Sequence, residues 1–174
     1  PDELELINTH PEFQRAVEVI ENTNKELLGL ADTLNWQLVG KTVEGWVPSQ
    51  RLKKFGVLFQ GPESGGTTLG IHIPRPDDLN DSAILINVFE LMNHALKSDN
   101  PLNQLATGLY TTMTHELAHI PGGGHDTGFA YRHAQLLEQL GKTDTVRVLN
   151  DLQGAFDDGS GNISPDVSDL LSIY

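Results

Sequence analysis

The run His115-Glu116-Leu117-Ala118-His119-Ile120-Pro121-Gly122-Gly123-Gly124-His125 constrains this chain more than any other stretch. Upstream of it, after the break Asp99-Asn100-Pro101, the apolar residues Leu102, Leu105, Leu109, Met113, Leu117 and Ala118 recur every three or four positions. That period predicts a helix with one buried face. His115 and His119 then project from the same side, one turn above each other, and their ring nitrogens can meet at one ion. Pro121 and three glycines end the helix abruptly. Glycine tolerates positive φ, so the chain can swing back there and bring His125 to the same point.

The chain has no cysteine, so a transition metal must be held by His, Asp or Glu. Zinc in a catalytic site takes three protein ligands and keeps a fourth position open, which makes His115, His119 and His125 the expected ligand set. Glu116 lies about a quarter turn from His115, beside the metal and not on it. A carboxylate there can take a proton from a water whose pKa zinc lowers from about 15.7 towards about 7, and can later pass it to a leaving group. The ligands must be neutral to bind, so activity should fall in acid. The bland alternative is a His-Glu-x-x-His pattern on an exposed helix with no role. Against it stand the apolar flanks in helical phase, the third histidine after a helix-breaking turn, and the placing of three of the seven histidines within one short run.

Asp126 reads as the N-cap of a following helix, with a second reading as an acceptor that fixes a ligand's tautomer. Tyr131 and His133 could face a developing oxyanion but read more simply as packing or surface residues. His10, His72 and His94 have no ligand-like spacing and read as ordinary.

The length of 174 residues suits one domain with tails. A helix is expected over residues 11–28 behind the caps Asn8-Thr9, and a second piece near 31–38. Residues 41–74, with Val43, Trp46, Val47, Val57, Leu58 and Ile71, suit three short antiparallel strands, with Pro62-Glu63-Ser64-Gly65-Gly66 as a loop between two of them. Residues 83–88 suit a last strand or the start of a helix reaching Leu96. Helices are expected over 127–140 and 143–152. Residues 157–163 superficially resemble a calcium loop, but that register puts Phe156 and Val167 at ligand positions, so the stretch reads as a turn.

Twenty-four acidic side chains against 11 basic ones give a net charge of −13, which argues against nucleic acid and anionic membrane surfaces as partners. The basic cluster Arg51-Leu52-Lys53-Lys54 reads as a solvated edge. No stretch is apolar enough to span a bilayer and no signal-peptide pattern opens the chain. The start at Pro1 points to a processed product or a piece of a longer polypeptide. Absence of cysteine agrees with an intracellular setting and with export alike.

The stretch HELAHIPGGGHDTGF, from His115 to Phe129, resembles the zincin metallopeptidases. The spacing with Gly122 is similar to the metzincin motif. Metzincins carry a methionine turn after the third histidine, and here Met92 and Met113 both precede it. With Gly123, Asp126 and Phe129 the stretch also resembles the WLM and SprT-like minimal proteases, relatives linked to DNA or protein–DNA crosslinks, a role that the acidic balance does not support. The resemblance implies an α+β fold, with a small antiparallel sheet packed on an active-site helix between N- and C-terminal helices. The expected organisation is a single zincin-like domain over 1–156, its first 40 residues helical, and a turn-rich tail over 157–174.

The expected function is zinc-dependent hydrolysis of a peptide or protein substrate, with Glu116 as base. Peptide as the substrate rests on the resemblance alone. An extended substrate would pair with an exposed strand edge at 71–74 or 83–88. The rivals are a zinc-stabilised structural module of a larger protein or virion assembly, and a zinc amidase acting on a non-peptide substrate.

Overall fold

A computed structural model describes residues 11–58, 68–75, 81–143 and 145–169. In chain order these form α1 (Pro11–Asp32), α2 (Pro48–Arg51), β1 (Leu52–Leu58), β2 (Gly70–Pro74), β3 (Ser82–Asn87), α3 (Val88–Ala95), α4 (Pro101–Ala118), α5 (Thr127–Thr143), α6 (Thr145–Phe156) and α7 (Pro165–Ser168). The caps Asn8-Thr9, His10 and the loop Pro62-Glu63-Ser64-Gly65-Gly66 lie outside the described residues. The architecture is α+β, with a small three-stranded mixed sheet.

α4 is the central helix. Asn100 caps its start by accepting from the Asn103 N–H at 3.3 Å, and Pro101 opens the first turn, where its missing N–H costs nothing. Leu105, Leu109, Met113 and Leu117, four apart, are each no more than 1% exposed. They form a stripe that meets α1, α3, α5, α6 and the sheet. α1 contributes Phe13, Ile20 and Leu27, and α6 contributes Val148, Leu152 and Phe156, to the same core. The turn-rich segment after α6 folds back on the body, so Ile163 and Val167 are buried in that core as well. In this turn Asp157 Oδ1 accepts from the Gly159 and Gly161 N–H groups at 2.8 and 3.0 Å. Among the described residues no helix is long and apolar enough to cross a membrane.

The sheet corrects the expectation of antiparallel strands. Its order is β1-β3-β2, with β2 antiparallel to β3 but β1 parallel to it. Burial explains the order. β3, Ser-Ala-Ile-Leu-Ile-Asn, has Ile84 and Ile86 fully buried and takes the centre. β1 carries exposed Lys53 and Lys54, and β2 ends in Pro74, both features suited to edges. Residues 83–88 therefore cannot offer a free edge, which leaves β2 for that part.

Two further expectations change. Residues 41–47 form irregular backbone with a turn at 44–45 instead of a strand, and Gly40 and Gly45 sit at φ 73° and 68°, outside the β region; Trp46 is nevertheless buried. No second helix forms over 31–38: α1 runs on to Asp32 and stops near Asn35, whose φ of 55° is left-handed. Residues 83–88 realise both alternatives in succession, a strand to Asn87 and then α3, capped by Asn87 through the Glu90 N–H.

Leu109 is wholly buried in the α4 stripe. Leu109→Ala should lower the stability of the chain by about 2–5 kcal/mol, read from the shift of a urea unfolding midpoint at unchanged slope.

Candidate metal centre

The last turns of α4 carry His115 and His119 on one face, and residues 121–124 return the chain to it. Gly122 and Gly123 take φ of 104° and 88°, a backbone region that side-chain-bearing residues rarely enter. His125 then faces the helix. Its Nε2 lies 2.9 Å from His115 Nε2 and 3.2 Å from His119 Nε2. All three residues offer ligand atoms within 4.8 Å of one another, so together they could hold a metal ion.

Hydrogen bonding alone does not explain this geometry. A ring nitrogen carries either one N–H or one lone pair, so His125 Nε2 can satisfy only one of its two neighbours at a time. A cation at the shared point satisfies all three. Tetrahedral ligation at about 2.05 Å puts ligand nitrogens about 3.3 Å apart, within a few tenths of an ångström of both spacings seen here.

The surroundings hold the rings in place. Phe129 forms an apolar wall, with ring centroids 4.8 Å from His115, 4.3 Å from His119 and 4.9 Å from His125. It sits in the first turn of α5, where its N–H donates to Asp126 Oδ1 at 2.8 Å. Asp126 is thus the N-cap that its position suggested. The Gly123 carbonyl accepts from the His119 ring. Thr114 Oγ1 donates to the Thr111 carbonyl at 2.9 Å and lies 3.3 Å from His133 Nε2, so His133 can be the donor in that contact.

Burial makes protons unwelcome here. It holds His115 down at about 4, with the neighbouring His119, His125 and His133 adding to the effect. His119 is lowered by burial and then by His125, against the opposing pull of the Gly123 hydrogen bond. His133 is lowered by burial. Two of the three candidate ligands are therefore biased towards the neutral form that a metal needs.

Glu116 packs into the joint between α4 and β2, against Gly70, where it is 6% exposed. Burial pushes its carboxyl up to about 7, partly offset by a hydrogen bond from the His72 backbone N–H. Gly70 makes room for it: a Cβ there would come within 2.9 Å of Glu116 Oε1 and 2.7 Å of Thr112 Cγ2. No protein-family model, curated protein or solved structure matches this chain.

Several residues beside the site were not expected there. His72, on β2, stacks on His119 with centroids 6.1 Å apart and rings inclined by 8°. Burial, then His119 and Arg51, hold it down at about 4. Its spacing from the other histidines carries no signal, since strand pairing brings it in. Arg51 departs from the solvated edge expected of its basic cluster: Lys53 and Lys54 are exposed, but Arg51 is buried and donates to the Ile120 carbonyl at 2.8 Å. Arg132, also buried, donates to the Ala118 and Gly122 carbonyls. Tyr131 is 64% exposed and its hydroxyl accepts from Gln135. His94 is exposed on α3 beside Glu90.

The raised Glu116 carboxyl links stability to pH. The folded state holds this proton up to about 7 and the unfolded chain releases it near 4.5, so stability falls as pH rises through that window. In the metal-free protein Glu116→Gln removes this penalty. The variant should melt above the unmutated chain at pH 8, by a margin on the order of 3 kcal/mol, and the margin should vanish near pH 4.5. Melting curves at the two pH values check it.

Proposed function

We propose that the chain is a zinc-dependent metallopeptidase of the zincin kind, with His115, His119 and His125 as ligands and Glu116 as general base. The observation that carries this reading is the convergence of three histidine Nε2 atoms one residue away from a buried carboxyl with its pKa raised to about 7. Zinc suits a site of three imidazoles without thiolate, and when bound supplies a Lewis acid that polarises a carbonyl and acidifies a water. Glu116 matches the second half of that chemistry. A carboxylate beside the metal can accept a proton from the acidified water and pass it to the leaving amine. Its hydrogen bond from the His72 N–H and its seat against Gly70 limit the directions in which it can move.

A peptide substrate is supported by the sheet edge. β2 pairs only with β3 among the described residues, and its Ile73 is 46% exposed beside the site. An extended peptide could add to β2 as a further strand and run past the three histidines, with backbone hydrogen bonds fixing its register.

The test couples metal analysis to cleavage of a mixed peptide library. One equivalent of zinc and cleavage abolished by a chelator are expected. Glu116→Gln should keep the zinc and lose about 100-fold or more in turnover. A chain that binds zinc and cleaves no peptide would instead be a zinc-stabilised module or act on a non-peptide amide. One that binds no metal at neutral pH ends the proposal. Gly70→Ala separates base from ligands: the atoms nearest an added Cβ belong to Glu116 and Thr112. It should lower kcat by up to about 100-fold while zinc affinity stays at the level of the unmutated chain.

A further inference from the structure

We propose that Arg51 and Arg132 are positioning residues that clamp the turn between His119 and His125, presetting the third histidine for metal capture. The metal half of this inference rests on the ligand reading above. The clamp itself rests on where the backbone hydrogen bonds of the turn go.

A helix leaves its last carbonyls without partners inside the helix, and a buried end needs other donors for them. Here the carbonyls from Glu116 to Gly124 can be followed one by one. Glu116 and Leu117 accept from the His119 and Ile120 N–H groups, both at 3.1 Å, and His119 accepts from the Gly122 N–H at 2.9 Å. Pro121 accepts from the Val39 N–H and Gly124 from the Asp126 N–H, both at 2.9 Å. Gly123 accepts from the His119 ring. The remaining three carbonyls belong to the arginines. Arg132 Nε donates to Ala118 at 2.9 Å, its second terminal nitrogen, Nη2, donates to Gly122 at 3.1 Å, and Arg51 Nη1 donates to Ile120 at 2.8 Å.

One guanidinium therefore joins the end of the helix to the far side of its own turn. Its planar fork suits two carbonyls at once, which the single ammonium of lysine holds less well. The two arginines come from different elements, α5 and α2, and are 8% and 6% exposed. Their charge also suits the negative end of the α4 dipole. Gly128 leaves the space: a Cβ there would lie 3.2 Å from Arg132 Nη1 and 3.3 Å from Asp126 Oδ1. His125 is itself exposed, so burial does not fix it, and the course of residues 120–124 decides where its ring stands. A cluster of three imidazoles gains little by assembling without a metal. A turn held by two buried cations keeps it assembled and reduces the ordering cost of binding.

The experiment uses the full chain and zinc alone as probe. Arg132→Met and Arg51→Met are compared with Leu152→Ala, a core truncation on α6. Amide hydrogen exchange at Gly122 and Asp126 is followed in the metal-free protein, and zinc affinity is measured by competition with a chromophoric chelator. The clamp requires Arg132→Met to speed exchange at those amides and to weaken zinc binding by about tenfold or more, with a smaller effect from Arg51→Met. Leu152→Ala should lower the melting temperature and leave zinc affinity unchanged. Arg132→Lys, which keeps the charge without the fork, should fall between Arg132→Met and the unmutated chain, and it carries the same comparison where Arg132→Met fails to fold. Exchange and affinity unchanged in the folded variants overturn the proposal, as does a loss of affinity in Leu152→Ala equal to that in Arg132→Met. If the unmutated chain takes up no zinc, the ligand reading fails, and the exchange measurement alone decides the clamp.

Discussion

The end of α4 is the constraint on which the rest of the site depends. The helix must stop within one turn of His119, in a crowded interior where unpaired carbonyls are costly, and the chain must then reverse so that His125 meets the two histidines it has just left. Glycines at positive φ make the reversal sterically possible. They do not hold it, because flexible residues add entropy to be lost on ordering. The holding comes from groups outside the turn: the Val39 N–H, Arg51 and Arg132, each donating to a carbonyl of the turn. Phe129, on the next helix, fills the space behind the rings.

Electrostatics around this turn form one system. His115, His119, His72 and His133 all have depressed pKa values, first because burial penalises their charged forms, while the buried Glu116 carboxyl is pushed the other way. Burial thus drives both kinds of group towards neutrality. The result is a set of uncharged donors beside a carboxyl that retains its proton to about pH 7. Such a site is poor at holding several protons, and its three histidines could hold a metal ion.

Much of α4 and its consequences was legible in the residues. The four-residue spacing of Leu105, Leu109, Met113 and Leu117 is a local property of one helix, and so is the shared face of His115 and His119. The N-cap at Asp126 and the return of His125 follow from turn chemistry within a few positions. Strand order was not legible, since the alternation of apolar residues says which side of a strand is buried and nothing about its neighbour or direction. The assignment of 41–47 to a strand failed for a related reason: Trp46 is apolar because it is buried, and a loop can bury a side chain as well as a strand can.

Taken alone, the sequence determined the central helix, the histidine triad, the turn between its second and third members and the exclusion of thiolate ligation, all of which depend on residues close together in the chain. The tertiary structure decided that, among the described residues, β3 lies at the centre of the sheet and β2 at an edge beside the site. It also brought Gly70 and the His72 backbone to Glu116, and Arg51 and Arg132 to the helix end. Those pairings depend on backbone groups, which every residue carries alike, and on packing between distant segments. No local pattern records them, so only the folded chain shows which arginine is a solvated surface charge and which holds a turn.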